Sequence, residues 1–241
     1  MRHLIAAAGL ALLAGATSAN AQSYSIANDF GSSVFQYGQG QATVGLTSFT
    51  AFAATQGGSS GCNTGFTCYL GSGGFPFIQK NNSAASTNPQ YPVAIGAVDA
   101  HPADGAGNTD AIILFTAQTA GTYDITGSFR RDNNTAEGNG VIGSIFSQVT
   151  GGLPSFLFQA TLLPSTGNPS QAFSVVATLV AGQTIGFAIN NNGEYTYDST
   201  GLAATIANRA VPGPIAGAGL VSLLGLAGVM VARRRREKLA A

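Results

Sequence analysis

The chain has 241 residues, of which 33 are glycine, none is tryptophan and only 8% are charged, and its formal net charge is zero. From Gln22 to Asn208, three basic residues minus nine acidic ones leave a net charge of about −6. This excludes the basic patch that a nucleic-acid partner requires. Plentiful apolar residues and few charges also argue against disorder, so we expect one folded domain over residues 22–208.

The first 21 residues have the three parts of a secretory signal peptide. Arg2 supplies the basic start, an apolar stretch runs from Leu4 to Ala16, and a small-x-small cleavage site ends at Ala21. The apolar stretch is shorter than the roughly 20 residues that a membrane-spanning helix needs. We therefore expect an exported chain, cleaved after Ala21.

The two cysteines, Cys62 and Cys68, stand in a segment rich in Gly, Ser, Asn and Pro. Because an exported chain enters an oxidising compartment, we predict a disulfide between them. A redox motif would have two intervening residues, and a zinc site would need more ligands than the one histidine after residue 21 supplies. We expect the whole of residues 54–92 to be a long surface loop that the disulfide cross-links.

From Val93 onward, short apolar runs alternate with turn residues, as in all-β sandwiches. The apolar and period-two runs predict strands over residues 111–117, 121–129, 141–149, 156–162, 172–180, 184–190 and 202–207. Short connections predict that the first pair of these strands, and also the pair 172–180 and 184–190, form hairpins. The fold we predict is all-β, an antiparallel β-sandwich of jelly-roll type, rather than a closed barrel.

No catalytic constellation is predicted. A triad needs a base beside its nucleophile, but His101 lies between turn residues and no Gly-x-Ser-x-Gly motif accompanies it. Glycoside hydrolysis needs a pair of carboxylates across a cleft, which nine acids neither favour nor exclude. If the chain were a hydrolase, we would expect its acid among Asp104, Asp110, Asp132 and Glu137.

Two loops concentrate oxygen atoms that suit calcium, which takes about six to eight oxygen ligands. The candidate ligands of the first loop are Asp104, Asn108 and Asp110, and the second loop offers Asp132, Asn134, Glu137 and Asn139. Neither loop has the spacing of an EF-hand. Asn, Asp and Gly are also ordinary turn residues, so calcium binding and a plain turn both stay open.

Sugar binding by a β-sandwich usually needs an exposed aromatic ring. Tyr91, Tyr195 and Tyr197 lie in or beside loop-like stretches and are candidates to stack on a sugar. Tyr195 and Tyr197 are equally well explained as one face of an edge strand.

The chain ends in a proline-containing motif, an apolar stretch and a basic end. Residues 211–214 read Val211, Pro212, Gly213 and Pro214, residues 214–232 carry no charge, and four arginines begin at Arg233 in the basic end, 233–238. The apolar stretch approaches the roughly 20 residues of a membrane-spanning helix. Because basic residues stay on the cytoplasmic side, the body of the chain would lie outside.

This arrangement of ends resembles PEP-CTERM proteins, the substrates of exosortases in Gram-negative bacteria. The resemblance covers residues 209–241, and Pro-Gly-Pro stands where the family has Pro-Glu-Pro. It implies that the tail holds the exported chain in the inner membrane until an exosortase-like membrane protease recognises residues 211–214. Segments of the body such as "LVAGQTIGFAINNNGEYTYDSTGLAATI" also resemble domains that precede such tails. This resemblance implies that the β-sandwich is a jelly roll like those of carbohydrate-binding modules.

The function expected from these features is that of an exported surface or extracellular-matrix protein. Its domain would bind glycan or contribute to a biofilm or exopolysaccharide. Two alternatives stay open, namely an exported glycan-active hydrolase and a structural protein that its tail anchors permanently in the membrane.

Overall fold

The computed structural model describes residues 21–57, 62–83, 93–103 and 109–209. Gln22–Arg209 forms one compact unit. The predicted signal peptide, the predicted sorting tail, Tyr91, Asp104 and Asn108 lie outside the described residues. Within the described ranges, no helix is both long and apolar enough to cross a bilayer.

The regular secondary structure of the described residues consists of β-strands and two 3-10 helices, Gly45–Ser48 and Ser72–Gly74. The seven strands predicted from the sequence are present, each within two residues of its predicted ends. The strands are β1 Ser23–Ser25, β2 Phe35–Gly40, β3 Thr50–Ala51, β4 Ala54–Gln56, β5 Phe66–Leu70, β6 Phe77–Asn81, β7 Val98–His101, β8 Asp110–Thr116, β9 Gly121–Arg131, β10 Val141–Gln148, β11 Ser155–Leu162, β12 Ser170–Leu179, β13 Thr184–Asn190 and β14 Thr200–Asn208.

These strands form two antiparallel sheets. The eight-stranded sheet has the order β12-β9-β14-β7-β6-β5-β4, with β1 also paired to β14, and the six-stranded sheet has the order β11-β10-β13-β8-β2-β3. The predicted all-β class and the antiparallel β-sandwich are therefore confirmed.

The core lies between the two sheets, where alternate side chains of each strand point inward. Phe173 of β12 lies 6.2 Å from Phe187 of β13 between ring centroids, and Phe115 of β8 lies 5.9 Å from Tyr123 of β9. Full burial of one such ring stabilises the fold by about 1.5–3 kcal/mol. The period-two pattern read from the sequence is thus the pattern of the core.

Both predicted hairpins are wrong. Strand β8 pairs with β13 and β2, whereas β9 pairs with β12 and β14 in the other sheet. Likewise β12 and β13 belong to different sheets. The two short connections cross from one sheet to the other and lie side by side, where the Gly182 N–H donates to the Ala117 carbonyl at 2.8 Å. Alternation identifies which face of a strand is buried, but it does not say which sheet the strand joins.

The expectation of one long surface loop over residues 54–92 is also wrong. Strands β4, β5 and β6 fall within it and extend the eight-stranded sheet. These strands are short, so each shows little apolar alternation, and the Gly and Ser residues around them are more typical of a loop. For this reason the sequence did not predict them. The disulfide between Cys62 and Cys68 is confirmed, with 5.9 Å between its Cα atoms.

Candidate functional site

A cleft of about 500 Å³ opens on the outer face of the six-stranded sheet, the face directed away from the core. This volume lies within the range of about 300–1,000 Å³ that is usual for ligand sites. Four neighbouring strands, β11, β10, β13 and β8, carry its floor, and the segment after β2 forms one wall. The lining residues are Gln41, Ala42, Thr43, Asp110, Ile142, Ser144, Phe156, Gln159 and Asn190.

The wall is the segment 41–49, which folds back over half of the sheet. Ala42, Leu46 and Phe49 pack there on a small apolar cluster of the sheet, formed by Ile112, Leu114, Phe146 and Ala188. The buried side chain of Gln148 in β10 fixes the turn, because its Oε1 accepts the Leu46 N–H at 2.8 Å. Since the segment covers only part of the sheet, the remaining part is left as the cleft.

Glycine at position 186 allows the sheet to carry a large ring on this face. A Cβ built at Gly186 of β13 would lie 2.2 Å from the Phe146 ring of the neighbouring strand β10. Any side chain at this position would displace Phe146, which in turn lies 6.3 Å from the Phe156 ring of the cleft.

A buried carboxylate joins the wall to the floor. Asp110 of β8 accepts the Ala42 N–H at 2.7 Å and the Asn190 Nδ2–H at 2.6 Å. Burial raises the pKa of Asp110 to about 6, and these two hydrogen bonds act in the opposite direction. Both of its oxygens therefore serve to fix the shape of the cleft.

The open part of the cleft combines one aromatic ring with polar side chains. Phe156 of β11 is 42% exposed, and Gln159 is exposed on the same strand. Ser144 lies opposite Gln159 on β10, and Asn190 of β13 lies opposite Ile142. A ring beside hydroxyl and amide groups offers both an apolar surface and hydrogen-bonding partners to a ligand.

A second aromatic group lies on the other sheet, at the ends of β6 and β7. We call Phe75, Phe77, His101 and Tyr195 the aromatic cluster. Ring centroids of Phe75 are 5.0 Å from His101 and 5.9 Å from Tyr195. Burial lowers the pKa of His101 to about 4, so its imidazole is neutral at physiological pH, and Nδ1 lies 2.7 Å from the Pro102 carbonyl oxygen.

A row of polar side chains crosses the outer face of the eight-stranded sheet. The Gln79 Nε2–H donates to Asp99 at 3.0 Å, and the Arg130 Nε–H donates to Asp132 at 2.6 Å. Asp132 reaches back over Gly201, where a Cβ would lie 2.6 Å from its Oδ2. Burial and the nearby Asp132 raise the pKa of Asp99 to about 8. Asp99 and Asp132 are buried, whereas Arg130 is partly exposed and lines a separate cleft of about 380 Å³ on this sheet.

The predicted site residues are spread over the molecule. Asp110 lines the cleft, but its hydrogen bonds are to the protein. Tyr195 and Tyr197 lie in the loop between β13 and β14, with Tyr195 in the aromatic cluster. Among the described residues no group of three or more His, Cys, Asp or Glu side chains is placed to hold a metal ion, so calcium at Asp104, Asn108 and Asp110 stays a prediction.

Sequence reasoning missed most of the cleft. Phe156 and Gln159 were predicted to lie in a strand without any functional role, and Gln41 and Thr43 lie in a region for which no strand or site was predicted. Strict alternation along β11 would put Phe156 on the face of Phe158 and Ala160, away from Gln159. An irregularity of the β10–β11 pairing at Ile145 and Phe146 instead brings Phe156 and Gln159 to the same face, and the sequence gives no signal for it.

No family model and no curated protein matches the chain. Among solved structures, it is similar to an isomalto-dextranase of Arthrobacter globiformis T6 complexed with panose, at 15% identity, covering 72% of this chain and 23% of that one, with a TM-score of 0.31. An arabinose-bound α-L-arabinofuranosidase, MgGH51, matches at 8% identity, covering 71% of this chain and 27% of that one, with a TM-score of 0.38. The carbohydrate-binding module TmCBM61, in complex with β-1,4-galactotriose, matches at 10% identity, covering 60% of this chain and 88% of that one, with a TM-score of 0.36.

The chain spans only about a quarter of the length of the first two of these proteins. At these scores the likeness assigns neither a ligand nor an activity to it.

Proposed function

We propose that the chain is an exported surface or matrix protein whose β-sandwich, a jelly roll of the carbohydrate-binding type, binds glycan in the cleft of the six-stranded sheet. The observation that carries this proposal is the composition of the open part of the cleft. Phe156 presents an aromatic ring that is 42% exposed, and the same cleft is lined by the hydroxyl of Ser144 and the amides of Gln159 and Asn190.

A sugar ring has the complementary chemistry. Its C–H groups pack on an aromatic face, while the hydroxyls at its edge donate and accept hydrogen bonds. Amide side chains can do both at once, which suits hydroxyls better than a charged group does. The cleft lies on an open sheet face, so a polysaccharide can continue past both of its ends.

We further propose that the glycan is bound without being cleaved. Asp110 is the only acid among the described residues that line the cleft, whereas glycoside hydrolysis ordinarily requires two carboxylates. Asp132, a second candidate acid, belongs to the other sheet, where it is paired with Arg130. The alternative of an exported hydrolase predicts turnover that is lost when one of these acids is replaced.

For the tail, we propose recognition of residues 211–214 by an exosortase-like protease and release from the inner membrane to the cell surface. The sequence features at both ends support this proposal. Mass spectrometry of the mature carboxyl terminus tests it, because a terminus near residue 212 means cleavage. An intact arginine end in the membrane fraction would instead mean permanent anchoring.

Binding of the purified full-length chain to a glycan array, including exopolysaccharide from the producing cells, tests the site. We expect binding by the wild type and a loss of at least about tenfold in affinity for Phe156→Ala, because the stacking surface is removed.

Phe75→Ala is a matched control, since Phe75 is also 42% exposed but belongs to the aromatic cluster. It should bind like the wild type. Binding that survives Phe156→Ala and is lost in Phe75→Ala or Tyr195→Ala would move the site to the aromatic cluster. No binding to any glycan would contradict the proposed function.

A further inference from the structure

Two loops meet at one end of the sandwich, the β9–β10 loop over residues 132–140 and the β13–β14 loop over residues 191–199. The Asn139 Nδ2–H donates to the Asn192 carbonyl at 2.6 Å, and the Asn192 Nδ2–H returns a bond to the Asn139 carbonyl at 3.0 Å. The Asp132 N–H donates to the Ser199 carbonyl at 2.8 Å. The loops are therefore held together at both ends.

Between these fixed points the chains bring Asn133 and Asp198 near each other. Arg131 pairs with Thr200 in the sheet, and the Asp132 N–H donates to the Ser199 carbonyl. We infer that the same register, continued by one residue, places Asn133 near Asp198. Both residues are 0% exposed.

The polar atoms of these two side chains have no hydrogen-bond partner. This holds for Oδ1 and Oδ2 of Asp198, for Oδ1 and Nδ2 of Asn133, and also for Oδ1 of Asn139 in the same loop. Buried polar atoms are nearly always paired, because leaving them unpaired forfeits the hydrogen bonds that water would make. An uncompensated buried carboxylate is the most costly case.

The protein does not supply the missing positive charge by direct contact. The nearest cation is Arg131, but its two Nη groups donate to the carbonyls of Asn133, Thr135 and Glu137. Among the described residues, the ion pairs are Arg130–Asp132 and Arg209–Asp124, and neither includes Asp198. Arg131 thus shapes the loop and interacts electrostatically with Asp198, but no hydrogen bond satisfies the oxygens of Asp198.

We propose that a calcium ion binds between the two loops, with Asp198 and Asn133 as its central ligands and Asn139 as a further one. Carboxylate and amide oxygens are the ligands that calcium prefers, and its irregular coordination tolerates side chains from two loops, with water completing the shell. A single carboxylate gives low charge, so we expect affinity in the range of extracellular calcium modules, with a Kd of about 10⁻⁴–10⁻³ M. The ion would fasten the two loops, independently of whether the cleft binds glycan.

Terbium luminescence and thermal unfolding of the purified full-length chain test this site. Terbium replaces calcium, and excitation of Tyr197, which adjoins Asp198, would sensitise its emission. We expect emission that calcium displaces, and a melting temperature about 5 °C higher in 10 mM calcium than in EDTA.

Asp198→Asn keeps the shape of the side chain and removes its charge. We expect this variant to lose the terbium signal and the calcium shift. Asn133→Asp should bind calcium about tenfold more tightly, since it adds a second carboxylate.

Glu137→Gln is the matched control, because it removes an exposed acid from the same loop, and it should respond to calcium like the wild type. The proposal is overturned if the wild type shows no calcium response, which would mean a bridging water instead of an ion. It is also overturned if Asp198→Asn keeps the response, or if magnesium gives an equal shift.

Discussion

The outer faces of the two sheets differ in how they are covered. On the eight-stranded sheet, the disulfide, Phe66 and Val93 form a buried apolar cluster, and the neighbouring row with Asp99 and Asp132 is also buried. On the six-stranded sheet, the segment 41–49 covers only part of the face, and polar side chains beside it border an open cleft. Both faces border a ligand-sized space. The cleft of about 380 Å³ on the first face is lined mainly by small and apolar residues, with Ser128 and Arg130 as its polar side chains, whereas the cleft on the second face combines Phe156 with several polar side chains.

This difference separates polar groups that stabilise the fold from polar groups that are candidates to bind a ligand. The Gln79 side chain pairs with the buried Asp99, and the partly exposed Arg130 pairs with the buried Asp132, so changing them should alter stability and its pH dependence. Phe156 and Gln159 are accessible and hold little together, so changing them should alter binding alone. We therefore expect effects on stability and on binding to divide between the two faces.

The largest effect on stability is expected for Asp99→Asn. The pKa of Asp99 is about 8 in the folded chain because of burial and the nearby Asp132, against an ordinary value of 3.8. The folded state therefore binds a proton that the unfolded state has lost. The stability that comes from this proton is fully present below pH 3.8 and is lost as the pH rises through about 8.

Asparagine imitates the protonated acid at every pH. Compared with the wild type, Asp99→Asn should gain roughly 3 kcal/mol in free energy of unfolding at pH 9 and almost nothing at pH 4. Urea unfolding at both pH values measures the difference. A gain that is the same at pH 4 and pH 9 would show that Asp99 is ionised in the folded chain.

A smaller loss of stability is expected when the disulfide is removed. The ring it closes is short, with six positions separating Cys62 from Cys68, so the double variant Cys62→Ala, Cys68→Ala should lose about 2 kcal/mol. Glycan affinity should not change, because the cleft lies on the other sheet. A drop in glycan affinity without a change in stability would contradict the expected division of these two effects between the faces.

The smallest effect on stability is expected for Gln159→Ala, within about 0.5 kcal/mol, because the side chain is exposed on β11. The loss of one or two hydrogen bonds to a sugar should still lower glycan affinity by about three- to tenfold. Calorimetric titration and thermal unfolding of the same sample measure both quantities. Unchanged affinity would remove Gln159 from the site.

The sequence was sufficient to predict the class of fold, because period-two alternation directly reports which side chains enter the core. It predicted Phe173, Val175, Ala177 and Leu179 on one face of their strand. Three of them are buried, and Val175 is partly buried against the core. It was not sufficient to predict which strands are neighbours, because the connections after β8 and β12 are short enough either for a hairpin or for a crossing between the sheets.

The candidate site was harder to predict. The cleft arises because segment 41–49 folds back over the sheet, and this depends on distant contacts such as Gln148 to Leu46. The hydrogen bonds between Asn139 and Asn192 likewise join loops that are 53 residues apart in the sequence. Composition did indicate an oxygen-rich loop at residues 132–139, but not its partner.

A crystal structure of the chain with the shortest oligosaccharide that binds on the array tests the central claim most directly. We predict that the sugar lies in the cleft, with one ring against Phe156 and its hydroxyls within hydrogen-bonding distance of Gln159 and Asn190. A sugar bound instead at the aromatic cluster, against Phe75 and Tyr195, would contradict the account.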